Sequence, residues 1–226
     1  MSLARKAFAE LLGSLLLTAT VVGSGIAAQR RSHDSGLQLL ENSLATGAVL
    51  IALILALGPV SAAFNPVVTL VERAFGAVTN REAVTYIGAQ LLGCSLGSIV
   101  ANVMFDLPAA SLSGHVRDGS GIWTGEVVAT FGLVLVVFGV VRSGATTMVP
   151  FAVGGYITAA YWFTSSTSFA NPAITVGRMF TDTFAGINPA SVPVFALMQV
   201  LGGALAAGAV VLLYPDVKSL AAKVAQ

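Results

Sequence analysis

Phe169-Ala-Asn-Pro-Ala-Ile-Thr-Val-Gly-Arg178 lies between apolar segments, yet it carries an Asn-Pro step followed by a short helical pattern. A near copy stands earlier, Phe64-Asn-Pro-Val-Val-Thr-Leu-Val-Glu-Arg73, and Asn65 and Asn171 are 106 positions apart in a chain of 226 residues. Pro66 and Pro172 suit the first turn of a helix, where the missing N–H has no partner in any case. Asn65 and Asn171 then fall at the N-cap, a position asparagine favours. The segments 65–76 and 171–181 span roughly ten residues each and reach about 15 Å, half of a bilayer.

Outward from these two stretches the chain is apolar. Charged residues make up 9% and hydrophobic residues 56%, with a mean hydropathy of +0.87. Soluble domains run nearer 25% and 45–50%. The composition predicts a polytopic membrane protein, and hydropathy places six full-length spans at roughly 7–27, 38–60, 82–104, 124–142, 148–168 and 191–214. The first run contains Glu10 and leads to no convincing cleavage site, so it reads as a membrane helix rather than a signal peptide. The net charge of +1 identifies no partner, and nothing points to nucleic acid. The single cysteine, Cys94, excludes an internal disulfide framework and reads as a small packed residue beside Gly93 and Gly97.

Basic residues orient the chain. With a cytoplasmic N-terminus, Arg5, Lys6, Arg73, Arg81, Arg142, Lys218 and Lys223 fall inside, against Arg30, Arg31, Arg117 and Arg178 outside. Both termini are then cytoplasmic. His33 and His115 fall in the external loops 29–36 and 106–122, with no Cys or carboxylate cluster beside them. They read as solvated loop residues; no metal site and no cofactor is expected.

The halves repeat. Glu10 pairs with Glu126, Asn65 with Asn171 and Gln90 with Gln199, at offsets of 116, 106 and 109. The expected unit is three spans and a half-span, repeat 1 covering about 1–105 and repeat 2 about 120–226, within one transmembrane domain. An odd number of spans inverts the second copy, so the half-helices enter from opposite faces and meet N-terminus to N-terminus. The fold class expected is an all-α membrane protein of six transmembrane helices plus two half-helices. Non-helical backbone at that depth is tolerated only where protein buries it or water touches it, so the segments before each Asn-Pro line a cavity. Two helix N-termini and two side-chain amides present positive ends and donors there. A neutral hydroxyl-bearing solute can accept those bonds, whereas a cation meets the wrong end of two dipoles.

At these residues the sequence resembles the major intrinsic protein family, the aquaporins and glycerol facilitators. Its paired Asn-Pro-Ala boxes correspond to Asn65-Pro66-Val67 and Asn171-Pro172-Ala173, and the resemblance extends to Glu10, Glu126, Tyr86-Ile-Gly-Ala-Gln90 and Gln199. It implies a passive channel for small uncharged solutes, a homotetramer, and residence in a cell membrane, here a bacterial inner membrane. It gives Glu10 and Glu126 a supporting role, accepting hydrogen bonds from the backbone before each half-helix. The family's filter arginine normally stands three residues after the second asparagine, where this chain has Ile174. The other filter positions fall at Thr46, at Ala159 or Ala160, and at Ser168 or Thr167. Thr46 stands where water-selective members carry a bulky aromatic. The filter expected is wider and less charged, similar to a bacterial branch linked with arsenical resistance, which admits glycerol, urea or arsenous acid. Val67 in place of alanine is a further departure.

Three readings stay open. Arg178, one turn beyond Ile174, either enters the outer vestibule or snorkels and pairs with Asp182, and the latter is the expectation. Glu72 and Arg73 close the first half-helix at the cytoplasmic mouth. The alternative function is a proton-coupled secondary transporter using Glu10 or Glu126, since intramembrane carboxylates are functional by default. No nucleophile–base pair appears, so no enzyme is expected.

Overall fold

The computed structural model describes residues 1–214; Lys218 and Lys223, counted above for orientation, lie outside the described residues. Eight α-helices run through these residues: α1 (Leu3–Arg31), α2 (Ser35–Leu57), α3 (Pro66–Ala74), α4 (Asn80–Met104), α5 (Ser120–Arg142), α6 (Val149–Phe163), α7 (Pro172–Gly177) and α8 (Val192–Leu213). Helix starts follow local chemistry. Asp34 caps α2 through the Leu37 N–H, and Thr79 with Glu82 forms a reciprocal capping box at α4. Lys6 Nζ lies 3.1 Å from Glu82 Oε1, which ties the starts of α1 and α4 together at what we call the N-terminal face.

Among the described residues, five stretches are long and apolar enough to cross a membrane: α1, α2, α4, α5 and Pro189–Leu213. The sixth span, expected over 148–168, is helical only from Val149 to Phe163, about 22 Å at 1.5 Å per residue, with a 3-10 turn, Thr146–Met148, before it. Thr164 turns extended, and the following residues descend into the protein instead of completing the crossing. The half-helices are also shorter than expected: α3 ends at Ala74, and α7 ends at Gly177 and passes into a 3-10 turn, Arg178–Phe180.

Close packing rests on small residues facing backbone. A Cβ on Gly93 or Gly97 would stand 2.4 Å from the carbonyl of Leu11 or Leu15, joining α4 to α1; one on Gly202 would stand 2.4 Å from that of Val127, joining α8 to α5. Gly177 meets the Cys94 carbonyl in the same way, which is where the buried Cys94 packs. Gly88 and Gly155 face outward with open space around them.

Candidate functional site

Two non-helical segments carry the site, one between α2 and α3, the other between α6 and α7. Burying a backbone N–H without a partner costs about 1–3 kcal/mol, so each segment needs acceptors. Glu10 supplies them to the first. It accepts from the Ala63 and Phe64 N–H groups (both 2.8 Å), the Ser61 hydroxyl (2.5 Å) and Gln90 Nε2 (2.8 Å). Glu126 does so for the second, accepting from the Phe169 and Ala170 N–H groups (both 2.9 Å) and Gln199 Nε2 (2.5 Å). Gln90 and Gln199 also reach Thr69 Oγ1 (3.0 Å) and Thr175 Oγ1 (2.9 Å) on the half-helices. Both carboxylates are fully buried.

The residue before each asparagine adopts the left-handed conformation, Phe64 at φ 49° and Ala170 at φ 48°. Such backbone costs about 1–3 kcal/mol at a non-glycine residue and persists where surroundings over-determine it. The reason is visible in the carbonyls. Asn65 Nδ2 donates to the Ala170 carbonyl (2.8 Å), and Asn171 Nδ2 donates to the Phe64 carbonyl (2.7 Å). Each Oδ1 caps its own half-helix, through the Val67 N–H (2.9 Å) and the Ala173 N–H (2.9 Å). A side-chain amide has two N–H groups. One of each is used across the junction, and the other has no partner among the described residues.

Asn65 and Asn171 both line one cavity of ≈ 850 Å³. Val68, Glu72 and Tyr86 line it toward the N-terminal face; Thr46, Tyr161, Ile174 and Arg178 line it toward the other. Ser168 is in the wall as well, its hydroxyl buried and unpartnered. Pro66, Val67, Pro172 and Ala173 form the first turns and stand behind the asparagines. Val67 packs away from the cavity against Gly203, where an added Cβ would lie 2.2 Å from Val67 Cγ1, so the extra bulk at that box is absorbed by α8.

Two assignments change. Ala159 is exposed on the outer side of α6 and Ala160 is buried away from the cavity, and Tyr161 stands in the wall instead, its hydroxyl 3.1 Å from Thr46 Oγ1. Arg178 neither snorkels nor pairs with Asp182. It is buried, its guanidinium carbon 3.4 Å from the centroid of the Phe169 ring, and its Nε donates to the Ala185 carbonyl. Asp182 accepts from the Gly114 N–H (2.9 Å) instead. Glu72, in the last turn of α3, is buried in the cavity wall toward the N-terminal face, while Arg73 turns away and reaches Asn80. Arg117, from the long loop, also lies over Phe169 (5.0 Å) and donates to the Gly186 carbonyl (3.0 Å); burial lowers its pKa, and Glu126 counters part of that.

Comparison with known proteins agrees with this architecture. A family model described as Major intrinsic protein matches residues 1–168, a span that ends before the second Asn-Pro step. The chain is 48% identical over 205 residues to "Aquaglyceroporin AqpS" of Rhizobium meliloti (strain 1021), covering 90% of this chain and 88% of that protein. It is 30% identical over 237 residues to "Aquaporin AqpM" of Methanothermobacter marburgensis, covering 91% and 96%. An X-ray structure of the aquaglyceroporin from Plasmodium falciparum shares the fold, with a TM-score of 0.74 at 21% identity over 96% of this chain and 100% of that one.

Proposed function

The chain belongs to the major intrinsic protein family, and from that premise we propose that its cavity conducts water, glycerol-sized polyols and uncharged metalloid hydroxides such as arsenous acid. Its relatives are channels, not enzymes, and passive passage is the function the family supports. The observation that carries the reading is the placement of both asparagines, each with a free N–H, in the wall of one cavity that extends toward both faces. A hydroxyl-bearing solute exchanges hydrogen bonds with those two donors as it passes, and they interrupt a chain of waters that would carry protons.

The outer part of the wall supports the wider solute range. Ile174 contributes no charge where the resemblance places an arginine, and Thr46 is small. Tyr161 supplies the aromatic from α6, and Arg178 supplies the guanidinium one turn further from the asparagines. The reading includes a single channel domain of two inverted repeats, a bacterial inner membrane, cytoplasmic termini, and a homotetramer, which native mass spectrometry in detergent measures.

Reconstituted protein in proteoliposomes, followed by stopped-flow light scattering with water, glycerol, urea and arsenite, tests this. Faster movement than in empty vesicles is expected for all four. Water alone, with glycerol at the empty-vesicle level, overturns the solute assignment; no acceleration of any overturns the channel.

The coupled-transporter reading needs Glu10 or Glu126 to meet the passage. Both are saturated by backbone and glutamine donors, and neither is in the cavity wall. Flux independent of a pH gradient is therefore expected.

A further inference from the structure

Each half-helix presents three residues to the cavity at the spacing of one helix face: Asn65, Val68 and Glu72 on α3, Asn171, Ile174 and Arg178 on α7 and the turn that follows it. Glu72 and Arg178 are 106 positions apart, as the two asparagines are. The repeat thus puts a carboxylate and a guanidinium at equivalent places, at opposite ends of the passage. Glu72 is 4% exposed and Arg178 2%. Among the described residues, no donor reaches the Glu72 carboxylate, the Arg178 terminal nitrogens donate to nothing, and the one ion pair is Lys6–Glu82. A buried carboxylate left without donors is costly unless its oxygens face water, and the open side of Glu72 is the cavity. Packing alone would be served by an apolar residue such as its neighbour Val71.

We propose that Glu72 is a specificity-determining residue, the barrier to anions at the N-terminal end of the passage. This rests on the channel reading above. The centre offers only N–H donors and Arg178 adds positive charge beyond it, so the passage from the asparagines outward repels cations and welcomes anions. A negative group elsewhere on the passage offsets that bias. At an effective dielectric of about 20, two like charges ~5 Å apart disfavour each other by roughly two orders of magnitude in occupancy. Glu72 imposes that penalty on an anion and none on a neutral solute. Burial disfavours the charge on Glu72 most, Glu10 of α1 adds to that, and Lys6, also of α1, favours it. Lys6 is held by Glu82 and by its place at the helix start. Tyr86 of α4 shares the wall, whereas α5 offers only apolar Leu133, Val137 and Val141. The barrier exists only while the carboxylate is ionised, so it is complete on the alkaline side and weakens as the solution is acidified.

The test compares wild type with Glu72→Gln and Glu72→Asp in proteoliposomes, reading water and glycerol by light scattering and nitrate efflux under a potassium–valinomycin clamp. Glu72→Gln is expected to keep water and glycerol flux within about twofold while nitrate flux rises ~10-fold or more, and Glu72→Asp to restore the barrier. Acidifying wild type from an alkaline start raises its nitrate flux; the Gln variant is indifferent to pH. Normal water flux with nitrate unchanged in Glu72→Gln overturns the proposal. So does a parallel rise in water, glycerol and nitrate, which marks simple widening. If the Gln variant fails to fold, wild-type nitrate flux that ignores acidification overturns it. Wild type that moves neither water nor glycerol overturns the channel reading first.

Discussion

Ile174 lines the passage one helical turn from Arg178. Ile174→Arg would place a second guanidinium beside the first and narrow the outer part of the cavity. Glycerol flux is expected to fall severalfold more than water flux, as larger solutes feel an added side chain most; equal fluxes of glycerol before and after the substitution would count against the filter assignment. Ala159→Trp is the matching control and should leave both fluxes unchanged, because that residue faces outward. The sequence placed the filter residue of α6 at Ala159 for a physical reason. The helix is apolar on every side, so no polar stripe sets its phase. A slip of two residues turns a side chain by about 200°, from lipid to passage. Arg178 was misread for another reason. Pairing with Asp182 assumes the helix continues, but Thr181 is extended (φ −136°, ψ 123°) and sends Asp182 to Gly114.

Among the helices, the tightest approaches are those where glycine faces a carbonyl. Gly97→Ala puts a methyl group 2.4 Å from the Leu15 carbonyl and 2.9 Å from Thr18 Cβ, so α1 and α4 must separate. The expected loss is about 1–3 kcal/mol, seen as a lower thermal midpoint in detergent. Gly88→Ala, on the open side of the same helix, should be neutral or slightly stabilising, since alanine favours the helix by up to about 1 kcal/mol over glycine. An equal fall for both would mean that helix separation is not the cause. The spans were legible because hydropathy over some twenty residues is a strong signal, and the half-helices because Asn-Pro marks a helix start. The early end of α6 was not legible. Residues 164–168 are five consecutive serines and threonines, which hydropathy averaged over a whole span absorbs, and their support from α5 shows them leaving the helix: Ser165 Oγ donates to the Gly121 carbonyl, and Glu126 holds Phe169.

At the scale of the molecule, the two halves are joined at the centre by a pair of reciprocal bonds, Asn65 to the Ala170 carbonyl and Asn171 to the Phe64 carbonyl. Neither the Phe64 nor the Ala170 carbonyl finds this partner within its own half. A chain leaving the ribosome therefore reaches residue 105 with its first re-entrant segment unfinished, and that segment stays provisional until about 65 further residues have been made and inserted. Fragments 1–108 and 109–226 produced separately should be cleared by quality control, while the two produced together should assemble and restore water flux. The arrangement makes completion of synthesis, rather than any single segment, the event that opens the route through the membrane.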